Sequence, residues 1–116
     1  MYPEEHSILI KIFGKSPKIR LFNIFLENPY FDFSKEELVR ELGMSKLTVY
    51  KYMKELEKLG VIKVSRRIGR AVLYKLNLES PIVMKLNEFI RAISLKIAEK
   101  EMEKLKPIQI SVSKES

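Results

Sequence analysis

The sequence predicts a mainly α-helical domain with a small β-hairpin and a long final helix. Three features point there. Apolar residues recur at three- and four-residue spacing in four separate stretches, the period of a helix with one buried side. A serine opens each of those stretches, and a glycine or proline closes it. The period drops to two only across residues 61–77, on either side of an isolated glycine. At 116 residues, 46% hydrophobic and 32% charged, the chain has room for one core and too much apolar content to be disordered throughout.

Residues 7–13 (SILIKIF) form a short helix expected to bury Ile8, Ile12 and Phe13. After Gly14, Ser16 caps a helix over 17–27 with Pro17 at its first position, and Ile19, Phe22, Phe25 and Leu26 mark its inner side. Asn28-Pro29 ends it, because the residue before a proline avoids helical geometry, and 30–33 reads as a very short strand. Ser34-Lys35-Glu36-Glu37 is a capping box opening a helix over 35–42, buried through Leu38 and Leu42 and ended by Gly43. Ser45 caps the next helix only two residues later, so the two must cross sharply. That helix, 45–59, carries Val49, Tyr52, Met53, Leu56 and Leu59 on one side and stops at Gly60. Residues 61–66 and 71–77 then alternate as strands, through Ile62 and Val64 and then Val72, Tyr74 and Leu76, with Arg67-Ile68-Gly69-Arg70 as the turn. Ser80-Pro81 opens the last helix, expected to reach Leu105 before Lys106-Pro107 stops it. In the tail, Ile108, Ile110 and Val112 alternate, which leaves a docked edge strand open beside a frayed end.

The net charge of +7 is unevenly spread. Residues 1–33 hold four bases and four acids, and residues 78–116 hold seven bases and six acids. Residues 34–77 hold eleven bases against five acids, so nearly the whole excess lies in one stretch. Such a run forms either a solvated face or a surface for a polyanion, since clustered lysine and arginine gain free energy by displacing counterions from phosphates.

The stretch SKEELVRELGMSKLTVYKYMKELEKLGVI (34–62), followed by RRIGRAVLYKLN (66–77), resembles the winged helix-turn-helix of transcriptional regulators, the ArsR-like and MarR-like repressors among them. In those proteins a helix pair framing a glycine turn leads through a segment like LEKLGVI into a hairpin, the wing. The resemblance implies a winged helix-turn-helix that is mainly α with a small β-hairpin wing, and the chain adds a long C-terminal helix, expected to be a dimerisation helix. It implies double-stranded DNA as the partner.

The residues fit that implication. With Leu38, Leu42, Met44, Val49 and Tyr52 at the contact between the crossed helices, steps of three and four place Lys46, Leu47, Tyr50, Lys51, Lys54 and Lys58 outward. A major groove admits such a helix and presents acceptors to it. Lys46, Leu47, Thr48 and Tyr50 are expected at base edges, with Leu47 and Tyr50 as apolar side chains lacking a partner in the domain. Ser45, Lys51 and Lys54 are expected at phosphates. Arg66, Arg67 and Arg70 are expected at the wing tip, suited to a minor groove whose focused negative potential attracts arginine.

In the last helix Val83, Leu86, Ile90, Ile93 and Ile97 alternate in steps of three and four, the period of a coiled-coil seam. They are the expected interface of a homodimer, with the 7–13 segment alongside; the alternative is that the helix folds back over its own domain. The chain thus divides into a DNA-binding domain over 1–79, a dimerisation helix over 80–106 and a flexible tail over 107–116.

Other chemistries have few parts. His6 is the only histidine and there is no cysteine, so no metal set, cofactor or disulfide is expected. The four glycines (14, 43, 60, 69) stand alone at element ends and form no phosphate-binding loop. Glu36 with Glu37, and Glu99, Glu101 and Glu103, read as a helix cap and a lysine-matched face, and an enzyme is not expected. No run is apolar enough to span a membrane, and MYPEEHSI has acids where an export signal needs bases, so a cytoplasmic protein is expected. Abundant lysine and glutamate with Gln109 as the only glutamine is the composition of hyperthermophile proteins. The function expected is that of a dimeric transcriptional regulator, a repressor, that binds a specific sequence. The alternatives are a winged-helix module for a protein or RNA partner and a sequence-tolerant architectural DNA-binding protein.

Overall fold

The computed structural model describes the backbone of residues 7–115 and the side chains of residues 7–104. The order is α1 (Ile8–Phe13), α2 (Pro17–Glu27), β1 (Phe33–Ser34), α3 (Lys35–Leu42), α4 (Lys46–Leu59), β2 (Ile62–Ile68), β3 (Ala71–Leu76) and α5 (Pro81–Glu115). It is a mainly helical winged helix-turn-helix. The serine punctuation is its local cause. Ser7, Ser16, Ser34, Ser45 and Ser80 each accept, on the side-chain oxygen, the backbone N–H three residues on, which satisfies a donor that the first helical turn leaves unpaired. At α3 the capping box is complete: the Ser34 N–H donates to Glu37 Oε1 at 2.8 Å and the Glu37 N–H to Ser34 Oγ at 3.1 Å.

The core joins every layer. Leu21, Phe22, Ile24 and Phe25 of α2 meet Leu38 and Leu42 of α3, Val49, Met53 and Leu56 of α4, and Ile62, Tyr74 and Leu76 of the sheet. Phe25 packs edge-on against Phe33, ring centroids 5.6 Å apart. The sheet runs β1-β3-β2, antiparallel throughout, with Phe33 opposite Tyr74, Ile62 opposite Leu76 and Ile68 opposite Ala71.

Several expectations shift. Helix α1 buries Leu9 and Ile10 while Ile12 and Phe13 stay exposed. The reason is the hydrogen bond from Ser7 Oγ to Asn23 Oδ1 (2.6 Å), which seats the start of α1 on α2 and turns Phe13 toward Phe89 of α5, centroids 6.3 Å apart. Leu59 is exposed because Gly60 ends α4, and Val61 takes the inner position instead, donating its N–H to the Leu56 carbonyl at 3.2 Å. The first strand is Phe33–Ser34, since Phe31 N–H still closes a turn onto the Asn28 carbonyl. In the hairpin only Gly69 and Arg70 form the turn, and Arg66 and Arg67 belong to β2. Gly69 takes φ +59°, which a two-residue hairpin turn demands of its first residue and which costs other residues strain.

The last helix departs most. Val83 is 0% exposed within the chain and belongs to its own core, so it opens no seam for another molecule, whereas half-buried Leu86 packs on that core and also lines an apolar groove with Phe13, Ile82 and Phe89. Ile90 and Ile93 are half-buried and Ile97 exposed. The backbone is helical through Pro107 to Glu115, in place of the expected stop at Lys106-Pro107 and of an edge strand. A proline inside a helix removes one hydrogen bond, and the chain can follow it without ending. The side chains of that tail, and His6, lie outside the described residues.

Replacing Val83 by alanine is expected to lower stability by roughly 2 kcal/mol through lost methyls and a partly unfilled space. Urea unfolding measures it, and an unchanged midpoint would remove Val83 from the core.

Candidate nucleic-acid interface

Helices α3 and α4 meet through Gly43-Met44-Ser45. Gly43 at φ +63° provides the left-handed turn, and Arg20 Nη2 of α2 donates to the Leu42 carbonyl at 2.9 Å, satisfying an acceptor at the end of α3. Burial of Val49, Met53 and Leu56 fixes the rotation of α4 about its axis. Lys46, Leu47, Lys51, Lys54 and Lys58 remain outside, with Thr48 and Tyr50 half-buried at the edge. Leu47 is 82% exposed on the first turn, an apolar side chain standing in water as expected.

Ser45 and Thr48 are already occupied with each other. Ser45 Oγ accepts the Thr48 N–H at 3.1 Å and donates to Thr48 Oγ1 at 2.8 Å, so both hydroxyls first serve to start the helix. Lys51 lies 5.2 Å from the Tyr52 ring centre. Lys54 makes no ion pair among the described residues, and Glu55 is drawn off by Lys18 of α2 at 2.7 Å, a contact that lowers the Glu55 carboxyl pKa.

Tyr50 is not unpartnered. Its hydroxyl donates to Glu36 Oε2 at 2.6 Å, and the ammonium groups of Lys35 and Lys46 lie 4.7 and 5.4 Å from its ring centre. Sequence spacing cannot reveal these contacts, because Glu36 and Lys35 sit on the helix before the turn. The hydrogen bond favours carboxylate and neutral phenol together, so it lowers the Glu36 pKa and raises that of Tyr50. The ring is thereby held in one orientation at the surface.

Lys35 has no signal in the sequence to single it out. Its ammonium also lies 5.5 Å from the Tyr74 ring on β3, which ties the start of α3 to the wing sheet. Lys35, Glu36 and Tyr50 share a cleft of about 190 Å³ with Arg70, Val72 and Tyr74 of the hairpin. The outer side of α4 and the turn of the wing therefore open onto the same side of the molecule. Only the crossing of α3 over the sheet creates this, and no local pattern announces it.

The three wing arginines divide. Arg67 and Arg70 are exposed and, among the described residues, form no ion pair. Arg66 points elsewhere: its Nε donates to Asp32 Oδ2 at 2.9 Å, and Ser65 Oγ donates to the same oxygen at 2.8 Å. These two bonds hold the Asp32 carboxyl below its ordinary pKa. Arg66 thus sits at the wing's root, not at the tip expected for it. No group of three or more histidine, cysteine or acidic residues lies within metal-binding reach among the described residues, and none of the described helices is long and apolar enough to cross a membrane.

This geometry defines a winged helix-turn-helix with a cationic outer face. Residues 18–70 match a family model described as an HTH domain. No curated protein is similar enough in sequence to match. Among solved structures, a possible transcriptional regulator from Methanosarcina mazei is similar at TM-score 0.54, with 17% identity over 90% of this chain and 88% of that one. NolR from Sinorhizobium fredii is similar at TM-score 0.53, with 19% identity over 80% of this chain and 93% of that one. ZitR from Lactococcus lactis, in complex with DNA, is similar at TM-score 0.50, with 23% identity over 82% of this chain and 68% of that one. At these identities the likeness establishes the fold.

In a Tyr50→Phe variant the Glu36 carboxyl is expected to titrate higher, nearer an ordinary glutamate. Because the folded-state pKa is depressed, the contact's stabilising effect is present above the ordinary glutamate pKa and fades as pH falls through the lowered value. Carboxyl-detected NMR titration of both proteins reads the shift, and identical curves would dismiss the contact.

Proposed function

We propose that this protein binds double-stranded DNA and regulates transcription, with α4 in the major groove and the wing over the adjacent minor groove. The observation that carries this is the shared cleft, through which Lys35 and Tyr50 of the helix pair face Arg70 of the hairpin. Cations on both elements then meet one duplex at once. A polyanion rewards that arrangement, since each neutralised phosphate releases counterions. The fold and the HTH match over residues 18–70 support it, and a protein of this fold, ZitR, has been seen in complex with DNA.

Roles follow from position. Lys46 and Leu47 lead the exposed first turn and reach base edges, where Leu47 suits a thymine methyl. Tyr50, steadied by Glu36, presents its ring edge beside them, with Thr48 next to it. Lys51 and Lys54 reach phosphates along the groove, and Ser45 lies at the end of α4 that favours an anion. Arg67 and Arg70 enter or border the minor groove.

The active form is a homodimer acting as a repressor by covering an operator. Helix α5 has 35 residues, roughly 52 Å at about 1.5 Å each, and extends past the domain. Ile82, Phe89, Ile93 and Ile97 line one side of it, continuous with exposed Phe13 of α1. A second copy suits that surface better than water does, and its two-fold axis would repeat the recognition helix on an inverted half-site.

Selection from a random duplex pool is expected to return a defined motif with inverted symmetry. Absence of duplex binding at low salt would leave a protein or RNA module, and binding without a motif would leave an architectural role. Arg67→Ala with Arg70→Ala is expected to weaken binding and flatten the salt dependence by about one logarithmic unit per lost contact, with unchanged thermal unfolding. Sedimentation at micromolar concentration is expected to give a dimer that Phe89→Asp converts to monomer; a monomeric parent protein would end the dimer assignment.

A further inference from the structure

We propose that Asp32 sets the angle of the wing against the helix-turn-helix, and that Arg66 serves this clamp instead of contacting DNA. From Arg66 to Ala71 every residue of the hairpin is exposed, so no core side chain fixes the direction in which it projects. A two-stranded ribbon free of such packing is marginally stable and readily twisted. The register breaks at its root: Val64 faces Tyr74 and Arg66 faces Leu73, so Ser65 is an extra residue in β2. A bulge of this kind bends the strand and re-aims the residues beyond it.

Asp32 grips both sides of that bend. Its Oδ2 accepts from Ser65 Oγ at 2.8 Å and from Arg66 Nε at 2.9 Å, and Oδ1 lies 3.5 Å from Arg66 Nη2. The carboxylate is 19% exposed and the guanidinium side chain 60%, so the acid is the fixed partner. Asp32 directly precedes β1, and Ser34 two residues on is the cap of α3. The grip therefore connects the bend in the wing to the helix pair through two residues of paired strand. Arg66 keeps Nη1 free, but with Nε and Nη2 turned to Asp32 its guanidinium is paired with a carboxylate and held at the bend.

The consequence for DNA rests on the function proposed above, whereas the clamp itself does not. The two roles of Arg66 predict opposite signs for Asp32→Asn, which keeps an acceptor for Ser65 and removes the charge. If Arg66 contacts DNA, the variant frees a cation and raises the net charge by one, so binding tightens. If Asp32 positions the wing, binding weakens although the protein has become more cationic.

The first measurement is amide hydrogen exchange in the DNA-free protein. Asp32→Asn is expected to speed exchange in residues 66–71 about tenfold, the scale of one charge-assisted hydrogen bond, with α4 unchanged. Exchange of the parent type would overturn the clamp. The second is affinity for a duplex that the parent protein binds, expected to fall about tenfold in Asp32→Asn and likewise in Arg66→Gln, with little change in salt slope. Tighter binding by Asp32→Asn, or loosened exchange at parent affinity, would overturn the positioning role. The pair Asp32→Arg with Arg66→Asp is expected to restore hairpin protection above either single change, and failure to do so would also count against the clamp. A parent protein that binds no duplex would sink the DNA reading and leave the exchange result to decide the clamp alone.

Discussion

Leu38 and Leu42 on α3, and Val49, Met53 and Leu56 on α4, bury against Leu21 and Phe25 of α2, and this contact determines how α4 is rotated about its axis. A helix has a single apolar stripe to hide, so hiding it decides which side chains face out. Here the outward set is four lysines and Leu47. Turned by one residue, α4 would bury Tyr50 and Lys54 and expose Met53, at a cost of several kcal/mol for stripping water from an ammonium group without a partner. Core packing thus fixes which positions of α4 face out, while the lysines that fill those positions are not required by the fold.

Orientation of the hairpin is a separate problem, because its exposed end has no core to sit on. The sheet solves it with polar contacts. Lys35 lies between the Tyr50 and Tyr74 rings on the cleft side, and Asp32 holds Ser65 and Arg66 at the root. Cation–π contacts at exposed sites contribute only about 0.5–1 kcal/mol each, so these residues adjust the angle and leave stability to the core.

Much of this was legible in the sequence, and the boundary of legibility is physical. Serine caps and glycine stops are local devices, so Ser16, Ser34, Ser45, Gly43 and Gly60 fell where spacing placed them. The exposure of Leu47 and the four lysines followed from the periodicity of α4 alone. Pairings between elements did not follow. Tyr50 with Glu36, Arg66 with Asp32, and Lys35 with Tyr74 join residues 14, 34 and 39 positions apart, and nothing in their neighbourhoods marks them. Val83 misled for the same reason: a heptad-like pattern in α5 states which side is apolar, but the first turn spends that side on its own domain. The helical backbone beyond Pro107 shows the limit of a local stop signal read in isolation.

The acids on this side of the molecule leave several of its cations without a fixed partner. Glu37 accepts a backbone N–H in the capping box, and Glu36 accepts the Tyr50 hydroxyl. Glu36 keeps its charge in doing so, and the nearby ammonium groups of Lys46 and Lys35 help to lower its pKa. Glu55 and Asp32 pair with Lys18 and Arg66, and further ion pairs among the described residues lie on Lys63, Lys85 and Lys104, away from the outer face of α4 and the tip of the wing. Lys54, Arg67 and Arg70 form no ion pair among the described residues, so no fixed carboxylate competes at those three positions with the anion of a partner.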